Sequence, residues 1–255
     1  MRKKEEKYKS SEFEKRWQRR FRQYASLSDD DAGIAGWSPT GLSTRFSYFV
    51  SHWCHGPGNQ TWLDAGCGAG TYTRHLYSKG CAVIGLDYSF ETVAKAKARC
   101  PNELGWVVGN AKMLPIRTQM LDGAICFGVT QALSDSETLI YELLRVVKPG
   151  GQIWIDALNA RCIPHLVKIL YWRIRSRPAH LRYESPANMR RLFEQQGMSN
   201  VKLYWVPVLP QRLHAYSFLV NHPVIRWLFM RTPLLGALLS HSILISGTKN
   251  SGHGE

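Results

Sequence analysis

The sequence predicts an α/β fold, a seven-stranded, mostly parallel, doubly wound sheet with helices on both faces. Three observations predict it. Five short apolar runs alternate with helical stretches between residues 61 and 158, the rhythm of βαβ units whose crossover helices cover a parallel sheet. A glycine-rich loop joins the first of these runs to the first of these helices. The 255 residues, 44% of them hydrophobic, suffice for one decorated domain with a sizeable core, which excludes wholesale disorder.

Residues 1–25 read as a charged amphipathic helix or a frayed arm, and 26–41, "SLSDDDAGIAGWSPTG", as a turn-rich loop. Residues 42–53 suit a helix carrying Phe46, Phe49, Val50 and Trp53. "TWLDA", 61–65, is the first strand and 71–79 a helix. "CAVIGLD", 81–87, is the second strand, and 89–100 a helix with Ser89 as its N-cap. Residues 104–110 and 121–128 are the third and fourth strands. The helix 136–147 is broken by "KPGG", 148–151, before a fifth strand at 152–158. Then the rhythm changes. Residues 160–195 are helical, basic and aromatic, with a capped helix starting near Ser185. Residues 211–238 are apolar and helical, and 201–208 and 241–249 are two more strands. The organisation expected is an arm, 1–41, and a domain, 42–255, with its core at 60–158 and 196–249 and helical insertions at about 159–195 and 209–238.

The formal net charge is +14, and its location carries more information than its size. Residues 1–22 are net +6 and 161–191 net +7, whereas 23–160 are slightly acidic. Two such patches attract phosphates, whether of RNA, a lipid surface or a small substrate, or are simply a solvated arm and a solvated helix. The six cysteines include no CxxC pair and no metal-ligand spacing, so no metal site is expected. The charged N-terminus has no apolar signal-peptide core behind it, and no apolar run reaches the roughly 18 residues of a membrane span. A soluble, cytoplasmic protein is expected, with peripheral contact at the inner membrane surface as the further option.

The loop is "LDAGCGAGTYT", 63–73, with Gly66, Gly68 and Gly70 in a G-x-G-x-G spacing. Dinucleotide enzymes space these glycines G-x-G-x-x-G to hold a pyrophosphate. Here Asp64 precedes the first glycine, and a carboxylate at a strand tip repels phosphate but suits a cation or an amino group. Asp87 ends the next strand, where a carboxylate holds a ribose diol. The pattern fits a nucleoside with a positively charged part and no phosphate.

At these residues the chain resembles the class I S-adenosylmethionine-dependent methyltransferases, over roughly residues 60–158. "LDAGCGAGTYT", "VIGLDYS" (83–89), "GNAKMLPI" (109–116), "LDGAICFGVTQAL" (121–133) and "LLRVVKPGGQIWI" (143–155) resemble five motifs of that family in order. The resemblance implies an antiparallel last strand, substrate-lid helices in the insertions and S-adenosylmethionine as cofactor. It implies that Gly66, Cys67, Gly68 and Gly70 pass beside the methionine part, that Asp64 takes its amino group, directly or through water, and that Asp87 holds the ribose hydroxyls. Tyr88 would flank the adenine, Asn110 and Ala111 meet its edge, and Phe127 lie near the ribose and sulfur. Asn110 departs from the family's usual Asp, but its carbonyl oxygen still accepts a hydrogen bond. Tyr88 and Phe127 equally suit core packing. "GIAGWS", 33–38, and Tyr24 would close over the cofactor, as the family's N-terminal segment often does.

The sulfonium already makes the methyl electrophilic, so the protein aligns a nucleophile and excludes water. Thr130 and Gln131 can orient a substrate but are not strong bases. His165, His180 and His214 lie in the covering segments, and His165, soon after the fifth strand, is the candidate base. The aromatic, basic "IPHLVKILYWRIRSRP", 163–178, and the apolar 221–239 suggest a bulky, lipophilic acceptor methylated on oxygen or carbon: an isoprenoid, a quinone-like ring, a lipid-linked sugar or another secondary metabolite. Two alternatives remain: an RNA methyltransferase using the basic patches, and a non-catalytic methyltransferase-like protein that serves a partner. The sequence leaves the oligomeric state open.

Overall fold

The computed structural model describes residues 11–54, 56, 58–175, 181–209, 215–216, 218–219 and 222–251. Among them, seven strands form one sheet: β1 (Thr61–Ala65), β2 (Ala82–Asp87), β3 (Gly105–Val108), β4 (Leu121–Cys126), β5 (Val147–Leu158), β6 (Met198–Val206) and β7 (Ser242–Lys249). Their order across the sheet is β3-β2-β1-β4-β5-β7-β6. The first five run parallel, and β7 runs antiparallel between β5 and β6. The chain moves outward from β1 to β3 and then restarts on the other side with β4. That reversal opens a crevice beyond the carboxyl ends of β1 and β4, where ligands of open α/β sheets bind.

Side chains alternate along each strand, so one sheet supports two cores. Ile153, Ile155 and Ala157 join Leu203, Ile243 and Ile245 in the core on one face. Trp154, Tyr204, Val206 and Leu244, the residues between them, join the core on the other. The helices α6 (Glu137–Val146) and α8 (Pro186–Gln195) pack into the first through Leu139, Ile140, Leu143 and Phe193. The helices α3 (Pro39–His52) and α4 (Thr71–Ser78) pack into the second through Tyr48, Phe49, Tyr72 and Leu76. Burial of such a side chain stabilises the fold by about 1.5–3 kcal/mol, so these two layers hold the crevice rigid.

The amino-terminal helix α1 (Glu12–Leu27) is built by a capping box: the Glu14 amide donates to Ser11 Oγ at 3.2 Å and the Ser11 amide to Glu14 Oε2 at 3.1 Å. The other oxygen of Glu14 accepts from Lys112 Nζ at 2.9 Å and from Ser134 Oγ at 2.6 Å. One buried carboxylate thus starts the helix and fastens it to the loops after β3 and β4. Lys112 and Glu14 are both 3% exposed at the side chain, so neither charge could be left behind cheaply.

The segment 26–41, expected as loop, is more ordered. Asp30 caps a short helix, α2 (Asp31–Ile34), and Ser38 caps α3, which therefore starts at Pro39 rather than at residue 42. "KPGG" does not separate helix from strand. It lies inside β5, which pairs Leu121 with Val147 and, after a register shift, Gly123 with Gln152. The stretch 160–195 resolves into α7 (Ile163–Ile174) and α8. Ser185 occupies the N-cap position of α8, but its side chain makes no capping bond. The later apolar stretch contains α9 (Pro223–Arg231) and α10 (Pro233–Leu239). The helix α5 (Phe90–Arg99) is capped by the Ser89 hydroxyl, as the sequence predicts. No helix among the described residues is long and apolar enough to cross a membrane.

Candidate functional site

The glycine loop leaves β1 and turns sharply into α4. Gly66 and Gly68 hold φ of +84° and +52°, a left-handed backbone that side-chained residues adopt at a cost. A Cβ on Gly66 would also lie 2.2 Å from Val129 Cγ2, whereas one on Gly68 would meet only Ala35, at 3.8 Å. The first glycine lets the loop pack against the turn after β4; the second keeps its face open. The amides of Gly66 and Cys67 both donate to the Leu86 carbonyl, at 2.6 and 3.0 Å, locking the loop against the tip of β2.

Asp87 stands at that tip. Its Oδ2 accepts from the Gly68 amide at 3.1 Å and its Oδ1 from the Ser89 amide at 3.0 Å. These bonds orient the carboxylate and favour its charge, yet burial outweighs them and raises its pKa. Gly66, Cys67, Gly68, Asp87 and Tyr88 line one chamber together with Asn110, Ala111 and Phe127. Asn110 Oδ1 already accepts from the Lys112 amide at 2.9 Å, which leaves it one lone pair. Phe127 is buried against Tyr72 and Phe49 at ring separations of 4.6 and 5.3 Å, so it serves core and wall at once. Tyr88 is exposed on its outer side, where the Arg22 guanidinium lies 5.3 Å from the ring centre.

Asp64 and Gly70 do not reach this chamber. Asp64 is buried behind the loop, where its Oδ2 accepts from Thr73 Oγ1 at 2.7 Å. Burial, reinforced by the nearby Asp87 charge, pushes its pKa up to about 7. Gly70 caps α4, where a Cβ would crowd Cys100 Sγ at 3.0 Å and Trp106 at 3.2 Å.

A second chamber adjoins the first. Trp17, Phe21, Ala35 and Trp37 line both, and α1 runs along their common roof. Trp37 packs so closely on Gly128, beyond β4, that a Cβ there would sit 2.5 Å from its ring. The Arg45 guanidinium lies over the same ring, 4.6 Å from its centre. Arg45 in turn donates from Nε to Asp156 Oδ2 at 3.0 Å, and the Gly128 amide donates to Asp156 Oδ1 at 2.6 Å. This buried chain of contacts ties β5, α3 and the wall residue into one unit.

The chambers differ in charge. The first has Glu14, Asp31 and Asp87 in its walls and no lysine or arginine; the second has Arg16, Arg20 and Arg45 and no acid. Glu14 is paired with Lys112, Asp31 with Arg74, and Arg45 with Asp156. Among the described residues, Asp87 has no cationic partner, and Arg16 and Arg20 make no ion pair.

The residues expected to act on a substrate divide likewise. Gln131 reaches the second chamber, whereas Thr130 turns inward and donates to the Asp156 carbonyl at 2.8 Å. His165 is buried and lines neither chamber; its ring stacks on Tyr183 at 3.3 Å between centres. His180 and His214 lie outside the described residues. His241, at the foot of β7, lines the second chamber instead, and burial beside the Arg45 charge lowers its pKa to about 4. In the sequence it lies inside an apolar run, which gives no sign of a catalytic role. Nor does the sequence mark Trp37 as the wall shared by the chambers or the Asp156–Arg45 pair as its support. A trace of the last is the acid inside the apolar strand "QIWIDAL". Among the described residues no cluster of His, Cys, Asp or Glu is placed to hold a metal ion.

Comparison with known proteins agrees with this architecture. The model of a methyltransferase domain matches residues 63–155. A malonyl-[acyl-carrier protein] O-methyltransferase of Hamiltonella defensa is 34% identical over 108 residues, 42% of this chain and 41% of that protein. A ubiquinone biosynthesis O-methyltransferase of Salmonella newport is 28% identical over 101 residues, 38% of this chain and 42% of that protein. The chain thus spans about two fifths of the length of these curated relatives. In fold, it resembles Haemonchus contortus phosphoethanolamine N-methyltransferase 2 in complex with phosphomonomethylethanolamine and S-adenosylhomocysteine. That match has a TM-score of 0.64 at 18% identity and covers 91% of this chain and 60% of that one. Residues 63–155 thus match a methyltransferase domain, and the sheet order is that of the class I, S-adenosylmethionine-dependent methyltransferase fold.

Proposed function

We propose that the chain transfers a methyl group from S-adenosylmethionine to an oxygen of a bulky, lipophilic small molecule. One observation carries the reading: an acidic chamber at the glycine loop shares the walls formed by Trp17, Phe21, Ala35 and Trp37 with a second chamber lined by aromatic side chains. The first fits the cofactor. Asp87 is oriented by two amides, lacks a cationic partner among the described residues and stands where a ribose diol would bind. Gly68 leaves space for the methionine part. Tyr88, Asn110 and Ala111 would meet the adenine, and Phe127 the ribose and sulfur. Asp64 would act from behind the loop, by fixing α4 through Thr73 and adding negative potential. When bound, the cofactor supplies the electrophilic methyl.

The chain's own part is alignment, exclusion of water and movement of one proton. Helix α1 roofs both chambers and is held down by Glu14, so it would keep water out during transfer. Gln131 would orient the acceptor, and His241, neutral above about pH 5 because its pKa lies near 4, would take the hydroxyl proton. An oxygen acceptor is favoured because both curated relatives above bear the name O-methyltransferase. The experiment is incubation of the protein with labelled-methyl cofactor and a cell extract divided into lipid, RNA and protein fractions. Label in the lipid-soluble fraction supports the reading; label in RNA alone overturns it, and a carbon–methyl product would move the acceptor atom.

A specific observation also favours peripheral membrane contact. The helices α7, α9 and α10 touch in series and expose Val167, Ile174, Trp227 and Leu234 beside Arg175 and Arg231. Apolar side chains interleaved with arginine suit an anionic lipid surface. Sedimentation with phosphatidylglycerol vesicles but not phosphatidylcholine vesicles, lost in Trp227→Glu/Leu234→Glu, would support this; equal recovery with both would oppose it.

A further inference from the structure

We infer that the second chamber selects an acceptor with an anionic group, a carboxylate or a phosphate, on a lipophilic or aromatic body. The inference rests on the proposed methyl transfer, because it takes this chamber as the acceptor's place. It starts from one helix face. Phe13, Arg16, Trp17, Arg20, Phe21 and Tyr24 of α1 all line the chamber. They recur at the three- and four-residue spacing of one side of a helix, so aromatic rings and guanidinium groups alternate along a single wall. The aromatic rings form a run, with Trp17 and Phe21 separated by 5.4 Å and Phe21 and Tyr24 by 6.4 Å. An apolar body can lie along that run.

The arginines then decide the charge. No aspartate or glutamate lines the chamber. The buried Arg45 is occupied by Asp156. Arg16 and Arg20 stand one turn apart, border the cavity from exposed positions and make no ion pair among the described residues, while the Arg16 charge also reaches Glu12. Arg20 rests over the Trp17 ring, 5.1 Å from its centre, which holds the guanidinium above the aromatic wall. Planar guanidinium groups recognise carboxylate and phosphate through paired hydrogen bonds. Across Trp37 the sign reverses, with Asp87 facing a cationic donor. A cation in one chamber and an anion in the next would also attract each other, drawing acceptor toward donor. A cationic acceptor would meet repulsion in both places: from the arginines, and from the donor's own charge.

The test is calorimetric titration of the protein saturated with S-adenosylhomocysteine. The probes are dodecyl phosphate, dodecanoate, neutral dodecyl maltoside and dodecyltrimethylammonium, each below its micelle concentration. The two anions should bind at least about tenfold more tightly than the neutral probe, the cation should bind worst, and the preference should shrink with added salt. Arg16→Ala/Arg20→Ala, both at exposed positions, should reduce the anions to the level of the neutral probe with the thermal unfolding midpoint unchanged. S-adenosylhomocysteine should stay bound throughout. The ratio of dodecyl phosphate to dodecanoate then says which anionic group the pair takes. Equal binding of all four probes, or a preference unchanged in the double variant, overturns the inference while leaving the methyltransferase reading intact. Displacement of S-adenosylhomocysteine by the anions places them in the wrong chamber and overturns it too. Failure of S-adenosylhomocysteine to bind at all removes the acceptor role together with the proposed function.

Discussion

The two chambers under α1 share a roof and a wall, yet one is lined by acids and the other by arginines. The first is built from the loops after β1, β2, β3 and β4, close to the sheet, and its chemistry is carried by backbone as much as by side chains. Amides of Gly68 and Ser89 aim Asp87, and left-handed glycines clear the space. The second is built from α1, the segment from Ala35 to Arg45 and single residues of later segments, among them Gln131, Val208 and His241, and its charges are carried by side chains. A site made of backbone is constrained to one ligand shape. A site made of side chains can be re-specified by substitution without altering the sheet. The contrast accounts for a cofactor that five motifs announce and an acceptor that none does.

The largest expected effect concerns the divider. Arg45→Met leaves the Asp156 carboxylate buried without its partner, and removing one member of a buried pair costs about 3–5 kcal/mol. Urea unfolding should show that loss; unchanged stability would mean Asp156 is satisfied by the Gly128 amide alone. Next comes His241, the proposed proton acceptor. His241→Ala should lower kcat by about 100-fold or more with an oxygen acceptor, the usual scale for loss of a general base. With His241 titrating near 4, the wild-type rate should be flat from about pH 6 to 8 unless another group intervenes. An acid limb near pH 4 that survives His241→Ala would put the proton elsewhere.

A third effect is a proton released on binding. The free protein holds Asp64 protonated below its pKa of about 7, and a cationic ligand nearby favours the carboxylate and lowers that pKa. Binding therefore releases a proton, and cofactor affinity should rise with pH through about 6 to 8. Calorimetry in buffers of different ionisation heat measures the release, and Asp64→Asn should abolish it. The smallest effect is at the rim. Tyr88→Ala removes a ring that lines the chamber and touches Arg22, and should weaken cofactor binding by about fivefold.

The sheet was legible because it is written in local signals. Alternating apolar positions fix which side of a strand meets which core, and Ser89, Gly66 and Gly68 mark caps and turns by their own chemistry. The helix at 39–52 was legible in its middle but not at its start, since Ser38 and Pro39 sit inside a run of turn residues that hid the cap. Asp64 was legible as an acid at a strand tip, but whether that acid faces the ligand or the helix behind it is decided by the loop's packing on Leu86. The second chamber was least legible. Its walls come from residues 13–45, 131, 158, 181, 208 and 241, which no local pattern connects. The place of His165 after the fifth strand points to it in the sequence, whereas the apolar neighbours of His241 conceal it. Only the return of β7 between β5 and β6 brings His241 to the cavity.

In the proposed function the acidic chamber holds a cationic nucleoside through Asp87. The most direct measurement is calorimetric titration of S-adenosylmethionine into the wild-type protein and Asp87→Ala at pH 7.5. One site per chain is expected, with affinity falling by about 30- to 100-fold in the variant, as for lost charge-assisted hydrogen bonds. Equal affinities for the two proteins, or no binding by the wild type, would contradict it.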